Sequence, residues 1–204
     1  MGPEGPPGQA AAREPTRRLF FALWPDEAMR QAMAQATRKA ARASGGRPVP
    51  MASLHVTLAF LGSVPERRLP ELADLARTAA ESVGPALELR FDHLEHWRAA
   101  HIVCAAPAEP PMPVAVLARA LQDLLVGRGF TPDLKPFRPH VTVVRKVARP
   151  GSMDPLGKAH PVIWRFAELA LIESRTLREG ALYSVVGSYP LCSGKNAANN
   201  IETP

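Results

Sequence analysis

The chain has 204 residues, 46% of them apolar, and a formal charge of +6 at neutral pH. That length suits one compact domain or two tightly packed lobes, and no apolar run approaches the roughly 18 residues needed to span a bilayer. The excess of cations favours an anionic partner, leaving nucleic acid, a nucleotide or another phosphate ester as candidates.

Residues 1–16 are Gly-, Pro- and Ala-rich and cannot bury a core, so they read as a disordered tail. Residues 192–204 read the same way, and the folded domain is expected over 17–191. The N-terminal stretch lacks the basic and then apolar pattern of a signal peptide, so a soluble cytoplasmic protein is expected. "RLFFALWP" is an aromatic-rich run ended by proline, hence a strand. The segment from Asp26 to Ser44 reads as a helix with Met29, Met33 and Ala36 on one face, acids first and bases last, closed by Gly45-Gly46. "LHVTLAFLG", Leu54 to Gly62, is the next strand, followed by a helix from about Glu66 to Val83.

"ALELRFDHLEHW" and "HIVCAAP" read as two paired strands. Cys104 in the second has the surroundings of a buried structural thiol. Cys192 is far from it in sequence, and two such thiols fit a reducing compartment. Val114, Leu117, Ala118, Leu121, Leu124 and Leu125 then trace one face of a helix that ends at Gly127. "PHVTVVRK", Pro139 to Lys146, is a strand, and "VIWRFAELALIES" and "ALYSVVGSYPL" close the chain as two more. Irregular alternation with adjacent strand pairs predicts an α+β fold of mostly antiparallel sheet.

His-Val-Thr occurs twice, at His55 and His140, each time within a strand. Strand side chains alternate, so His55 and Thr57 share one face, as do His140 and Thr142. Val56, Leu58 and Phe60 are expected on the opposite face of the first strand, and Val141 and Val143 on that of the second. A two-lobed arrangement with approximate internal symmetry would explain the repeat and bring two imidazoles and two hydroxyls together. Imidazole titrates near neutrality, so one such ring can take a proton from an attacking oxygen while the other gives one to a leaving oxygen. The hydroxyls can donate to the non-bridging oxygens of a phosphate. His93, His96, His101 and His160 lack a hydroxyl residue two positions on and read as structural. Neither motif strand supplies a third ligand at zinc spacing, and there is no Gly-x-Ser-x-Gly elbow, so metal and covalent mechanisms are both disfavoured.

"HVTLAFLG" and "PFRPHVTVVR" resemble the paired motifs of the 2H phosphoesterases, and specifically the bacterial RNA 2′,3′-cyclic phosphodiesterase (2′-5′ RNA ligase) family. "RLFFALWP" and "IESRTLREGALYSVVGSYPL" are similar to that family's opening and closing strands, so the likeness spans residues 17–191. The resemblance implies two pseudo-symmetric lobes of mostly antiparallel sheet with flanking helices and a central cleft. It implies metal-independent, cofactor-free opening of a terminal 2′,3′-cyclic phosphate, on RNA ends or small cyclic nucleotides, to a 2′-phosphomonoester. Thr57 and Thr142 would hold the phosphate. By family analogy His140 is the base that activates water and His55 the acid that protonates the departing 3′ oxygen, a polarity the residues alone leave open.

Arg145 matches a family arginine, although regular alternation puts it on the opposite face from His140. A bulge, a strand end or the length of the side chain would have to bring it to the substrate. Phe20 lies where relatives place a ring near the nucleobase, whereas composition alone favours a core aromatic. Two departures from the common pattern are "HIVCAAP" and the cation Lys146 after Arg145. A monomer that does not engage membranes is expected. A 2′-5′ oligonucleotide ligase or phosphodiesterase, and an RNA-end-binding module without turnover, are the alternatives.

Overall fold

The strand β1 (Thr16–Leu23) is buried on both faces over its second half, as expected of a strand in the middle of a sheet. Leu19, Phe21 and Leu23 enter the main core, while Phe20 and Ala22 enter a smaller apolar cluster on the other face. The computed structural model that shows this describes residues 14–149, 161–177 and 180–192. The segments read as tails lie mostly outside that range, but Thr16 already belongs to β1. Among the described residues no helix is long and apolar enough to cross a membrane.

Helix α1 (Glu27–Ala43) starts where Asp26 accepts the Met29 N–H at 2.7 Å, a cap typically worth about 1 kcal/mol. Its fully buried stripe is Met33, Thr37 and Ala40, and Ala36 is exposed, contrary to the expected face. A polar residue can take the buried position because the Thr37 hydroxyl donates to the Met33 carbonyl at 2.8 Å. Strands β2 (Arg47–Pro48) and β3 (Val56–Pro65) follow, then one 3₁₀ turn and helix α2 (Leu69–Ala80), which stops short of Val83.

The run "ALELRFDHLEHW" breaks at Asp92 into β4 (Leu87–Phe91) and β5 (His93–Trp97). Asp92 pins this corner by accepting the Ala108 N–H at 2.9 Å. Strand β6 (Ile102–Ala106) pairs with β5, and helix α3 (Met112–Gly127) presents the expected apolar face, with Leu124 only half-buried. After β7 (Val141–Arg145), the second run read as one strand also breaks, at Ala167, into β8 (Val162–Phe166) and β9 (Glu168–Leu177). Strand β10 (Gly180–Pro190) completes the chain. The breaks have one cause. Leu87, Leu89 and Phe91 alternate inward, and so do Val162, Trp164 and Phe166, so β4 and β8 pair with each other as a separate two-stranded sheet.

The main sheet runs β10-β9-β1-β3-β7-β6-β5, with β2 added beside β7, and every pairing in it is antiparallel. The order has an internal two-fold. β1-α1-β3 matches β6-α3-β7, and the β4-to-β5 passage matches the β8-to-β9 passage. The fold is thus α+β and pseudo-symmetric, although only His-Val-Thr repeats visibly in the sequence.

Trp164 ties this frame together: it is fully buried, packs edge-on against Phe91, and donates Nε1–H to the Met29 carbonyl at 2.8 Å. Trp164→Ala is expected to cost about 3–5 kcal/mol, read as a lower urea midpoint at unchanged slope. A loss below 1 kcal/mol would show that α1 does not depend on this contact.

Candidate active site

The two halves of the main sheet touch along a very short seam, where β3 pairs with β7 only at Val56 and Val141. Both valines are fully buried. Alternation therefore turns the residues on either side of each valine to the opposite face, at the point where the strands begin to separate. His55, Thr57, His140 and Thr142 consequently line one small pocket of about 60 Å³, together with Ser53, Val49 and Arg145.

Arg145 reaches this pocket by a bulge. Opposite β6, Cys104 pairs with Thr142 and Val103 with Val144, so Val143 has no partner of its own. Val143 and Val144 are both buried, and the alternation flips after them, which returns Arg145 to the side of His140. The first motif carries the same device. Ala22 pairs with Thr57 and Phe21 with Ala59, leaving Leu58 as the extra residue. Phe60 therefore faces the cleft beside Thr57, and the expectation that it lies opposite His55 is corrected. Phe60 and Arg145 occupy matching places, five residues after the two histidines. Strand β2 backs Arg145, pairing Arg47 with it across the ladder. Gly46 permits the approach, because a Cβ there would sit 2.6 Å from the Arg145 carbonyl oxygen.

The two imidazoles are oriented alike. His55 Nδ1 lies 2.7 Å from the Ser53 carbonyl and His140 Nδ1 lies 2.8 Å from the Arg138 carbonyl. A carbonyl only accepts, so each neutral ring carries its proton on Nδ1 and leaves Nε2 unprotonated. His55 Nε2 accepts from the Thr57 hydroxyl at 3.1 Å.

Their surroundings differ. His55 sits among Phe20, Trp24 and Tyr183, with ring centroids 5.0, 5.4 and 5.3 Å away. Burial, reinforced by the charges of Arg145, His140 and Arg30, pushes its pKa down to about 4. His140 packs on Trp97 at 4.3 Å. Burial lowers its pKa too, with the Arg138 charge acting in the same direction and Glu95 opposing it.

Phe20 is only 2% exposed and packs against His55, so its ring supports the histidine and offers little surface to a base. Half-buried Phe60 and Tyr183 present more aromatic surface to the adjoining cleft. Sequence reasoning missed Trp24, Tyr183 and, above all, Glu95. Glu95 accepts from Trp97 Nε1 at 2.5 Å, from Arg138 at 2.8 Å and from His93 at 3.0 Å. It thus fixes both groups that touch His140, the Trp97 ring and the Arg138 backbone. His93 and Trp97 stand two residues either side of Glu95 on one face of β5, a spacing legible in the sequence. Arg138 comes from the loop before β7, and no local pattern marks it. His93 bonds Asp92 and Glu95, and His96 and His101 both point to the Val147 carbonyl, in keeping with structural roles. His160 lies outside the described residues. Cys104 is buried, with its thiol pushed up to about 12.

Comparison with known proteins places the chain in a family. Residues 24–177 match the family model of the 2′-5′ RNA ligase superfamily. The chain belongs to that superfamily. It is 31% identical to an RNA 2′,3′-cyclic phosphodiesterase of Thermus thermophilus, over 85% of this chain and 90% of the relative. An RNA 2′,3′-cyclic phosphodiesterase of Escherichia coli is 29% identical over 69% of this chain and 78% of its own. Among solved structures, E. coli LigT complexed with 3′-AMP superposes with a TM-score of 0.76 at 27% identity, covering 88% of this chain and all of that one. A phosphoesterase crystal structure superposes with a TM-score of 0.78 at 26% identity, over the same shares. Both His-Val-Thr segments, which meet at the seam, lie within the matched residues.

Nitrogen NMR of the imidazoles tests the electrostatics directly. Both rings should show the Nδ1–H tautomer at neutral pH, and His55 should stay neutral down to about pH 4. Glu95→Gln removes a charge that favours the imidazolium, so His140 should titrate lower still while His55 is unmoved. An unchanged His140 titration would mean that Glu95 acts through packing alone.

Proposed function

We propose that this protein is a metal-independent RNA 2′,3′-cyclic phosphodiesterase that hydrolyses a terminal 2′,3′-cyclic phosphate to a 2′-phosphomonoester. The observation that carries this reading is the convergence of two histidines, two threonines and one arginine on a single small pocket. The phosphate sits between the lobes, its non-bridging oxygens bound by Thr57, Thr142 and Arg145, which stabilise charge as the phosphorus becomes five-coordinate. Water attacks phosphorus and gives a proton to His140 Nε2. The bond from phosphorus to O3′ breaks, and O3′ takes a proton from His55 Nε2. Phe20 acts as a support for His55. Both halves of the site come from one chain, so the monomer is the working unit.

His55 begins neutral and must gain a proton before it can give one. The phosphate supplies the reason. Pairing of the anion with Arg145 removes a repulsion that acts on His55, and the anion itself favours an imidazolium. His140 has the Glu95 carboxylate behind it, which favours the proton it takes from water. Binding of 2′-AMP should therefore take up a proton, seen as a binding heat that depends on buffer ionisation, and His55→Ala should abolish the dependence. Release of a proton on binding would reverse the polarity. Because burial depresses both imidazoles, the alkaline limb of kcat/KM, where the required proton is lost, should lie below the ordinary histidine range.

Incubation with the four nucleoside 2′,3′-cyclic phosphates and a cyclic-phosphate-ended oligonucleotide tests the activity. We expect only 2′-phosphates, a loss of roughly 10²–10⁴-fold in His55→Ala and in His140→Ala, and no effect of EDTA. A 3′-phosphate product, or EDTA inhibition reversed by zinc, would overturn the reading.

A further inference from the structure

Three grooves adjoin the histidine pocket, and their charges differ. The one beside His55 adds a single cation to Arg145, namely Arg18, which lies over the Phe60 ring at 4.7 Å. On the His140 side the cleft is lined by Lys135 and Arg138 among others. Both cations there are already engaged, Lys135 with Asp133 at 2.8 Å and Arg138 with Glu95 at 2.8 Å. Another groove, of about 380 Å³, runs between β2, the end of β7 and the paired ends of β9 and β10. It shares Ser53, Val49 and Arg145 with the histidine pocket and is continuous with it. Its walls carry Arg47, Arg145 and Lys146, with no acidic residue on the lining among the described residues. None of the ion pairs among the described residues involves these three cations.

Three cations held close together repel one another, and folding gains nothing from gathering them without an anion. Lys146 adds a backbone cost, since it holds φ 59°, a left-handed conformation in which a lysine is rare. Leu177 and Leu182, 49% and 54% exposed, supply an apolar surface on the opposite wall beside Tyr183. A row of free cations facing an exposed apolar wall suits a flexible polyanion that carries flat apolar rings, which is the chemistry of single-stranded nucleic acid.

We propose that this groove holds the RNA strand immediately 5′ of the cyclic phosphate, with Arg47 and Lys146 neutralising its first internucleotide phosphates. The inference rests on the cyclic phosphodiesterase reading and names its substrate as an RNA strand in preference to a mononucleotide. Arg145 serves the reacting phosphate at the mouth of the groove, while Arg47 and Lys146 touch only the strand behind it. The groove on the His140 side has its cations paired, and the one beside His55 adds only Arg18, stacked on Phe60, so the row of cations that a backbone could follow lies in this groove.

The test compares a short oligonucleotide ending in a 2′,3′-cyclic phosphate with the corresponding nucleoside 2′,3′-cyclic phosphate, across a salt series. The variant is Arg47→Gln/Lys146→Asn, asparagine being the residue besides glycine most at ease at positive φ. Each neutralised phosphate of a single strand contributes about 0.7 to the slope of log kcat/KM against log salt. Wild type should show a steeper slope on the oligonucleotide than on the nucleotide by about 1.4, and the double variant should lose that difference. A fourfold rise in salt then costs wild type roughly sevenfold more on the oligonucleotide than it costs the variant. Hydrolysis of the nucleoside cyclic phosphate should be the same in both proteins. An oligonucleotide slope left unchanged by the double substitution overturns the path. Equal losses on both substrates overturn it as well, because the two cations would then serve the reacting phosphate. Failure of wild type to hydrolyse even the nucleoside cyclic phosphate would instead count against the cyclic phosphodiesterase reading itself.

Discussion

One backbone pairing, Val56 with Val141, governs the rest of the structure. Had β3 and β7 paired along their whole length, the sheet would be continuous and the histidines would lie on a flat surface. Because they pair once and then part, the motif side chains beside the pair stand at the apex of a cleft. Strand β2 takes the vacated edge of β7, and the Phe60 carbonyl accepts the Asp133 N–H at 3.2 Å, so the parted strands do not leave bare edges. The hydrogen bonds lost at the seam are thus made elsewhere.

The two-fold frame supplies equivalent backbones, and the side chains then break the equivalence. A bulge follows each His-x-Thr at the same place, and the residue it turns inward is Phe60 in one lobe and Arg145 in the other. One histidine is enclosed by three aromatic rings and overlooked by cations. The other leans on a single tryptophan with a carboxylate behind it. Two identical imidazoles in identical surroundings would compete for one proton. Different surroundings allow a bound anion to move the proton of one ring more than that of the other, which a general acid and a general base working in concert require.

Much of this was legible in the sequence, and what escaped has physical causes. His55, Thr57, His140 and Thr142 could be placed because period-two alternation holds over the few residues that join them. The same rule fails at Phe60 and Arg145, where a single unpaired residue inverts it. The paired valines 143 and 144 and the Leu58-Ala59 pair are the only trace of the bulges, two adjacent apolar residues where alternation allows one. Strand partners were harder. A twelve-residue apolar-polar run reads as one strand, yet Asp92 divides it between two sheets according to which core its halves face. Glu95 shares a face of β5 with His93 and Trp97 at two-residue spacing, but its link to His140 runs through Arg138, which only the fold brings near.

The central claim is that both lobes act on one phosphorus. It is tested most directly by a crystal structure with uridine vanadate, whose five-coordinate vanadium mimics the phosphorus in mid-displacement. The account predicts vanadium at the seam, with His55 Nε2 and His140 Nε2 at its two apical oxygens and Thr57, Thr142 and Arg145 at the equatorial ones. Vanadate held by one histidine alone, with the other lobe's His-x-Thr out of contact, would contradict it.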